Sequence, residues 1–215
     1  MKIGLFGGTF DPIHLGHLIL AEQMREQAKL EQIWFIPSAR PPHKSATIIT
    51  SFELRCEMLR LGIEDNPFFQ LLPIEASRPG WSYTADLLCQ IGMDFPNIEK
   101  NLILGADSFV DLPNWYQPKQ IVQQAKLLIA YRPHVVCPDP EKVAGKIGLL
   151  AGESLSVQFV PIPQMDIASR QIRQLVHEGK SIRYLVPAKV EQFIHQTGLY
   201  RTEPSQFAPA SKGDL

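Results

Sequence analysis

With 215 residues, 45% hydrophobic and 20% charged, the chain has the bulk of one sizeable α/β domain and the composition of an ordinary globular protein. Its formal net charge of -1 argues against nucleic acid as a main partner, because duplex binders carry a basic excess that neutralises phosphates; any anion site must be local. Cys56, Cys89 and Cys137 match no zinc spacing and read as reduced thiols, and no apolar run suits a signal-peptide core or a bilayer crossing, so the expectation is a cytoplasmic protein without a membrane partner.

Short apolar runs alternate with amphipathic stretches along the chain, the pattern of a parallel sheet covered by crossover helices. The expected fold is α/β: a doubly wound, Rossmann-like sheet with helices on both faces and a C-terminal helical extension. The first strand is Lys2–Phe6, followed by a helix whose one face carries His17, Leu20, Met24 and Ala28. After a strand at Gln32–Ile36, the polar link Ser38–Ser51 is long for a structureless loop and reads as a functional one. Thr50 and Glu53 form a capping-box pattern ahead of the next helix, with Leu54, Met58 and Leu61 inward.

The remaining strands are predicted at Phe69–Ile74, Asn101–Leu104, Lys126–Tyr131 and Val157–Pro161. Helices are predicted at Tyr83–Gly92, Pro118–Gln124, Pro140–Leu150, Ser169–His177 and Pro187–Thr197, with Gly198 as the last one's C-cap. The segment "TEPSQFAPASKGDL" lacks an apolar period, so the domain is expected to span residues 1–201 and a disordered tail 202–215.

Ligands of open parallel sheets sit beyond the carboxyl ends of the strands, and "GGTFDPIHLGH" directly follows the first one. Gly7 and Gly8 have no side chains to hold a ligand off their amides, and Asp11-Pro12 reads as a turn into the helix. His14 and His17 then lie at the helix N-terminus, where exposed amides and the positive dipole end favour an anion. Gly16 is expected to leave room for phosphates between the two rings. An imidazole there can stay neutral in the empty site and charge beside a polyphosphate, since its reference pKa is about 6.5. The competing explanation is a glycine turn with two structural histidines. The pattern is neither GxGxxG nor a Walker loop.

This stretch resembles the signature of the nucleotidyltransferase superfamily with the HxGH motif. Further stretches, "PSARPPHK", "RPGWSYT", "LILGADSF", "LPNWYQPKQI", "RPH", "IASRQIRQLV" and "IRYLVPAKVEQFIHQTGLY", are similar, in order, to the bacterial nicotinate-mononucleotide adenylyltransferases, over residues 1 to 201. The resemblance implies transfer of AMP from ATP to nicotinate mononucleotide, giving nicotinate adenine dinucleotide and pyrophosphate on the way to NAD. Both substrates are small molecules, Mg2+ is carried by the ATP and no protein metal site is expected; a homo-oligomer is left open.

The resemblance also implies roles. His14, His17, Lys44 and Arg173 would serve catalysis, and Gly7, Gly8, Thr9, Phe10, Gly16, Gly105, Asp107, Ser169 and Arg170 would bind ATP or its phosphates. Ser82, Tyr83, Thr84, Trp115 and Tyr116 would bind the pyridine nucleotide. Each has a plainer alternative. Lys44, on a loop stiffened by Pro41 and Pro42, equally reads as an exposed lysine, and Arg40 and His43 are weaker candidates of the same kind. Ser82 could simply cap the helix whose amides would hold a carboxylate. Asp107, set to bond a ribose, could be a turn cap, and Trp115, set to stack on the pyridinium ring, could be core.

One motif departs from the family. Where its usual pattern is Ile-Ser-Ser-Thr-x-Ile-Arg, this chain reads "IASRQIR", with Ala168 for the first serine and Arg170 for the threonine. Two arginines at a helix N-terminus have the wrong sign for the dipole, by roughly 0.3–1 kcal/mol each, unless an anion sits there. Arg170 is therefore expected to take over phosphate contact from the missing hydroxyl; two solvated arginines are the alternative. An amide-mononucleotide enzyme and a nucleotide-binding sensor without turnover remain rival readings.

Overall fold

The computed structural model describes residues 1–41, 49–78, 80–131, 137–149, 153–163 and 165–201. Six parallel strands, β1 (Lys2–Gly8), β2 (Gln32–Pro37), β3 (Phe69–Leu71), β4 (Glu99–Gly105), β5 (Lys126–Tyr131) and β6 (Val157–Pro161), form one sheet in the order β3-β2-β1-β4-β5-β6. The chain winds outward from β1 in both directions, so the strand order reverses between β1 and β4 and leaves a crevice beyond their carboxyl ends.

Helices α1 (Leu15–Gln27), α2 (Phe52–Ile63), α3 (Thr84–Asp94), α4 (Ala106–Asp111), α5 (Pro118–Gln124), α6 (Pro140–Ile147), α7 (Ser169–His177) and α8 (Ala188–Thr197) cover the strands. One core packs Met24 of α1, Met58 and Leu59 of α2, Ile172 of α7 and Val190 of α8 against Ile33, Phe35 and Leu128. The other packs Leu88, Phe109, Ile121 and Val143 against Ile3, Leu5, Leu102 and Ile129. Alternate residues of a single strand therefore serve opposite cores, as in β1, and burial on both faces explains why the strands read as unbroken apolar runs. The C-terminal extension is α8, which shares its core with α2. Among the described residues no helix is long and apolar enough to cross a membrane.

Several boundaries differ from expectation, each for a local reason. β3 stops at Leu71, because Pro73 has no N–H for the ladder, and Ile74–Ser77 turns into a short 3-10 helix. The cap of α2 is Ser51, whose Oγ accepts the Leu54 N–H at 3.4 Å. Thr50 is engaged elsewhere: its N–H donates to Asp11 and its carbonyl accepts from Arg55. Helix α3 begins one residue late and runs through Gly92 to Asp94. Helix α6 ends at Ile147, where Gly148 takes a left-handed turn at φ 77°; Leu150, the expected end, lies outside the described residues. Pro187 caps α8 from outside it, and Gly198 closes that helix at φ 69° as expected. Helix α4 was not anticipated; its six residues are too few to show a helical period in sequence.

Candidate active site

The candidates that follow β1 meet those of α7, Gly105 and Asp107 follow β4, and Ser82, Tyr83, Trp115 and Tyr116 belong to a separate cluster. Gly7 and Gly8 end β1, and after the five-residue loop Thr9–Ile13, His14 becomes the N-cap of α1. Here a histidine does the work usually left to serine or aspartate. The His14 Nδ1 accepts the His17 backbone N–H at 3.3 Å, and the His17 Nδ1 accepts the His14 N–H at 3.3 Å, a reciprocal capping box built of imidazoles. The two rings consequently stack, centroids 3.6 Å apart and 23° from parallel. Because both Nδ1 atoms accept, each ring, when neutral, carries its proton on Nε2.

Burial sets the charge of the first. His14 is 6% exposed, and loss of hydration lowers its imidazole from the usual 6.5 to about 4, so it is neutral at physiological pH. His17 rests on Phe10, edge to face at 5.1 Å, and Phe10 on Phe6 at 5.4 Å. The Phe10 side chain is thus core, 2% exposed, held with its backbone at φ 49°. Only its main chain can serve a ligand.

Two glycine expectations change. Gly16 does not open space between the rings, which are in contact; a Cβ there would lie 2.9 Å from His14 Nδ1, so the glycine admits the His14 ring itself. At Gly8 a Cβ would lie 2.9 Å from the Phe10 ring, so its absence serves packing. Gly7 is exposed with nothing near its Cα hydrogen, the open position expected of a residue that a ligand can approach.

The loop between β1 and α1 is fixed through its carbonyls. Thr9 O accepts from Arg55 Nη1 at 2.7 Å, Asp11 O from Arg173 Nη1 at 2.7 Å and Pro12 O from Ser169 Oγ at 2.9 Å. Ser169 and Arg173 therefore touch the loop in this structure. Arg170 projects from the same helix as an exposed side chain, and Ala168, at the N-cap of α7, offers no side-chain cap to the first amides. Gln171 reaches back to the Ala168 N–H at 3.2 Å. Across the crevice Gly105 is the N-cap of α4, and Asp107 sits exposed in that helix's first turn.

A second cluster joins "SYT" to "NWY". The rings of Tyr83 and Tyr116 stack at 4.5 Å and 29°. Trp115 is half-buried against the second core, with its indole N–H on Asp111 Oδ2 at 3.2 Å, so it is neither fully core nor fully open. Ser82 does not cap α3. Its Oγ accepts the Arg40 N–H at 2.9 Å while its own N–H donates to Arg40 O at 2.9 Å, pinning the start of the polar link. The buried Glu75 carboxylate accepts the neighbouring Ala39 N–H at 3.0 Å. The Tyr83 amide is taken by Trp81 O, whereas Thr84 opens a helix with no side-chain cap.

Lys44, His43 and the "RPH" stretch lie outside the described residues, as does 202–215. Arg55 and Tyr200, which bond Thr9 O and the Asp11 carboxylate of the loop, are not among the candidates expected from sequence. Arg55 had a signal, since it falls at apolar spacing with Met58 and Leu59 on the inward face of α2. Tyr200 had none beyond following the helix-ending Gly198.

The Cytidylyltransferase-like family description matches residues 5–175. A relative from Trichlorobacter lovleyi, named "Probable nicotinate-nucleotide adenylyltransferase", is 42% identical over 94% of this chain and 100% of its own. One of the same name from Thermomicrobium roseum is 40% identical over 94% and 92%. Among solved structures, the Plasmodium falciparum nicotinic acid mononucleotide adenylyltransferase complexed with NaAD superposes with a TM-score of 0.74 at 22% identity, covering 93% of this chain and 97% of that one. At that identity the likeness concerns the fold.

Proposed function

This chain belongs to the Cytidylyltransferase-like family, and from that premise we propose that it transfers AMP from ATP to nicotinate mononucleotide, releasing pyrophosphate and forming nicotinate adenine dinucleotide for NAD biosynthesis. It is a nucleotidyltransferase, as relatives about 40% identical over nearly its whole length are named to be. The observation that carries the site assignment is the reciprocal cap of His14 and His17, which fixes two imidazole N–H donors at a helix N-terminus beside the crevice.

The 5′-phosphate of the mononucleotide attacks the α-phosphorus; the new P–O bond forms as the bond to the β,γ-pyrophosphate breaks. A phosphate monoester has its second pKa near 6, so the nucleophile is already dianionic and needs no base. Catalysis then rests on alignment and on donors placed where negative charge grows. The two histidines supply those donors, with His17 assigned to the bridging oxygens and Arg170 to the triphosphate. Magnesium arrives with the substrate as Mg-ATP, since this ion keeps waters and takes few protein carboxylates. The ring N–H groups of the two histidines are donors suited to phosphate oxygens.

Trp115 offers a half-buried indole face to the cationic pyridinium ring, and the uncapped start of α3 at Thr84 suits a carboxylate. That uncapped helix start supports the acid over the amide mononucleotide. Residues 1–201 are taken as the catalytic domain, a boundary supported by the burial of Tyr200 against Asp11.

Pyrophosphate release tests the reading, with Mg-ATP and nicotinate mononucleotide, nicotinamide mononucleotide or phosphopantetheine offered separately. Strong turnover with the first alone is expected, falling by about two orders of magnitude in a folded His17→Ala variant. Preference for the amide would overturn the substrate assignment; silence with all three would leave a nucleotide-binding sensor.

A further inference from the structure

A carboxylate beneath a polyphosphate site is an electrostatic liability. Asp11 lies three residues before His14 and is 5% exposed. Its Oδ1 accepts the Tyr200 hydroxyl at 2.6 Å, its Oδ2 accepts the Thr50 N–H at 3.2 Å, and its own backbone carbonyl accepts from Arg173. Arg55, 1% exposed, lies in the same buried cluster and ties Thr9 O to Thr50 O through two bonds of one guanidinium. Burial and the neighbouring Asp11 hold the Tyr200 phenol well above its ordinary range, so it stays a donor. Tyr200 reaches Asp11 by a left-handed turn at φ 64° just beyond the end of α8, a conformation uncommon in a non-glycine residue.

We propose that Arg55 and Tyr200 are positioning residues that set the polarity of the Thr9–Ile13 loop. They act through the loop, Arg55 by drawing a carbonyl oxygen inward and Tyr200 by holding the Asp11 carboxylate in the interior. With these negative ends taken by donors of the protein, the loop offers an anion its amide hydrogens and the two imidazoles. The inference rests on the reading of this site as the ATP phosphate site. It also gives Ser169 and Arg173 a part in the same device, since each takes another carbonyl of the loop.

The test compares wild type with Tyr200→Phe, which removes one hydroxyl and keeps the ring. Affinity for the non-hydrolysable analogue α,β-methylene-ATP is measured by calorimetry, and kcat and both KM values by pyrophosphate release. Tyr200→Phe is expected to weaken the analogue and lower kcat by about tenfold or more, the scale of a lost hydrogen bond to a buried charge, while the KM for nicotinate mononucleotide stays within about twofold. Unchanged ATP-side constants overturn the proposal, as does equal weakening of both substrates, the mark of general loosening. Should Tyr200→Phe fail to fold, Arg55→Lys, which keeps the charge but cannot hold both carbonyls in one planar fork, is read against the same criteria. Failure of both to fold makes the pair purely structural and also overturns it. If wild type binds the analogue without turning over, the reaction assignment fails while the affinity ratio still decides this proposal.

Discussion

The His14 and His17 rings stack 3.6 Å apart because each Nδ1 caps the other residue's backbone N–H. The same bonds that start helix α1 also orient the pair, so capping and ligand binding are not alternatives here. Two protonated rings at that separation would repel, and burial already disfavours charge on His14.

That burial predicts a pH dependence. The His14 imidazole is lowered to about 4 in the fold and titrates near 6.5 when unfolded, so between those values the unfolded chain binds the extra proton. Stability should therefore rise with pH across this window, be fully present above about 6.5, and be lost as pH falls towards about 4, by up to about 3 kcal/mol. His14→Asn, which can still cap but does not titrate, should flatten that part of the profile in denaturant melts. Parallel profiles would show that His14 is not the group responsible.

Gly16→Ala separates packing from propensity. Alanine is the better helix former by about 1 kcal/mol, which offsets a disturbed His14 cap of about the same worth, so stability should change little. Its Cβ, however, would sit 2.9 Å from His14 Nδ1 and 3.0 Å from Cε1, and must push that ring off its partner. The expected outcome is a near-normal melting temperature with kcat down about tenfold or more. Full activity would mean that ring placement is not critical.

Trp115→Ala should chiefly raise the KM for the pyridine nucleotide, by about tenfold if stacking contributes on the usual scale of about 1–3 kcal/mol. Because Trp115 also packs on the second core, some thermal stability should go with it. Trp115→Phe should recover part of both. An unchanged KM in the alanine variant removes the stacking role.

Arg170→Thr restores the residue usual in related motifs. If the exposed Arg170 holds a phosphate, the KM for ATP should rise severalfold, as expected for loss of a charge-assisted contact. An equal or lower KM would leave Arg170 a solvated side chain.

The sheet was legible in the chain itself, and so was the helix start at which the candidate histidines lie. Apolar runs buried on both faces and short links ending in glycine or proline left one fold class, and "GGTFDPIHLGH" after β1 put the histidines at a helix start. Those signals are local, carried by residues within a few positions of one another. The tertiary structure decided what the side chains touch. Ser82 meets Arg40, Ser169 meets Pro12, and Tyr200 meets Asp11 across 189 positions of chain. No periodicity encodes such pairs, because each forms only once several crossovers have brought distant strand ends to one edge. The same holds for Gly16, whose missing side chain makes sense only after the His14 ring has been placed beside it.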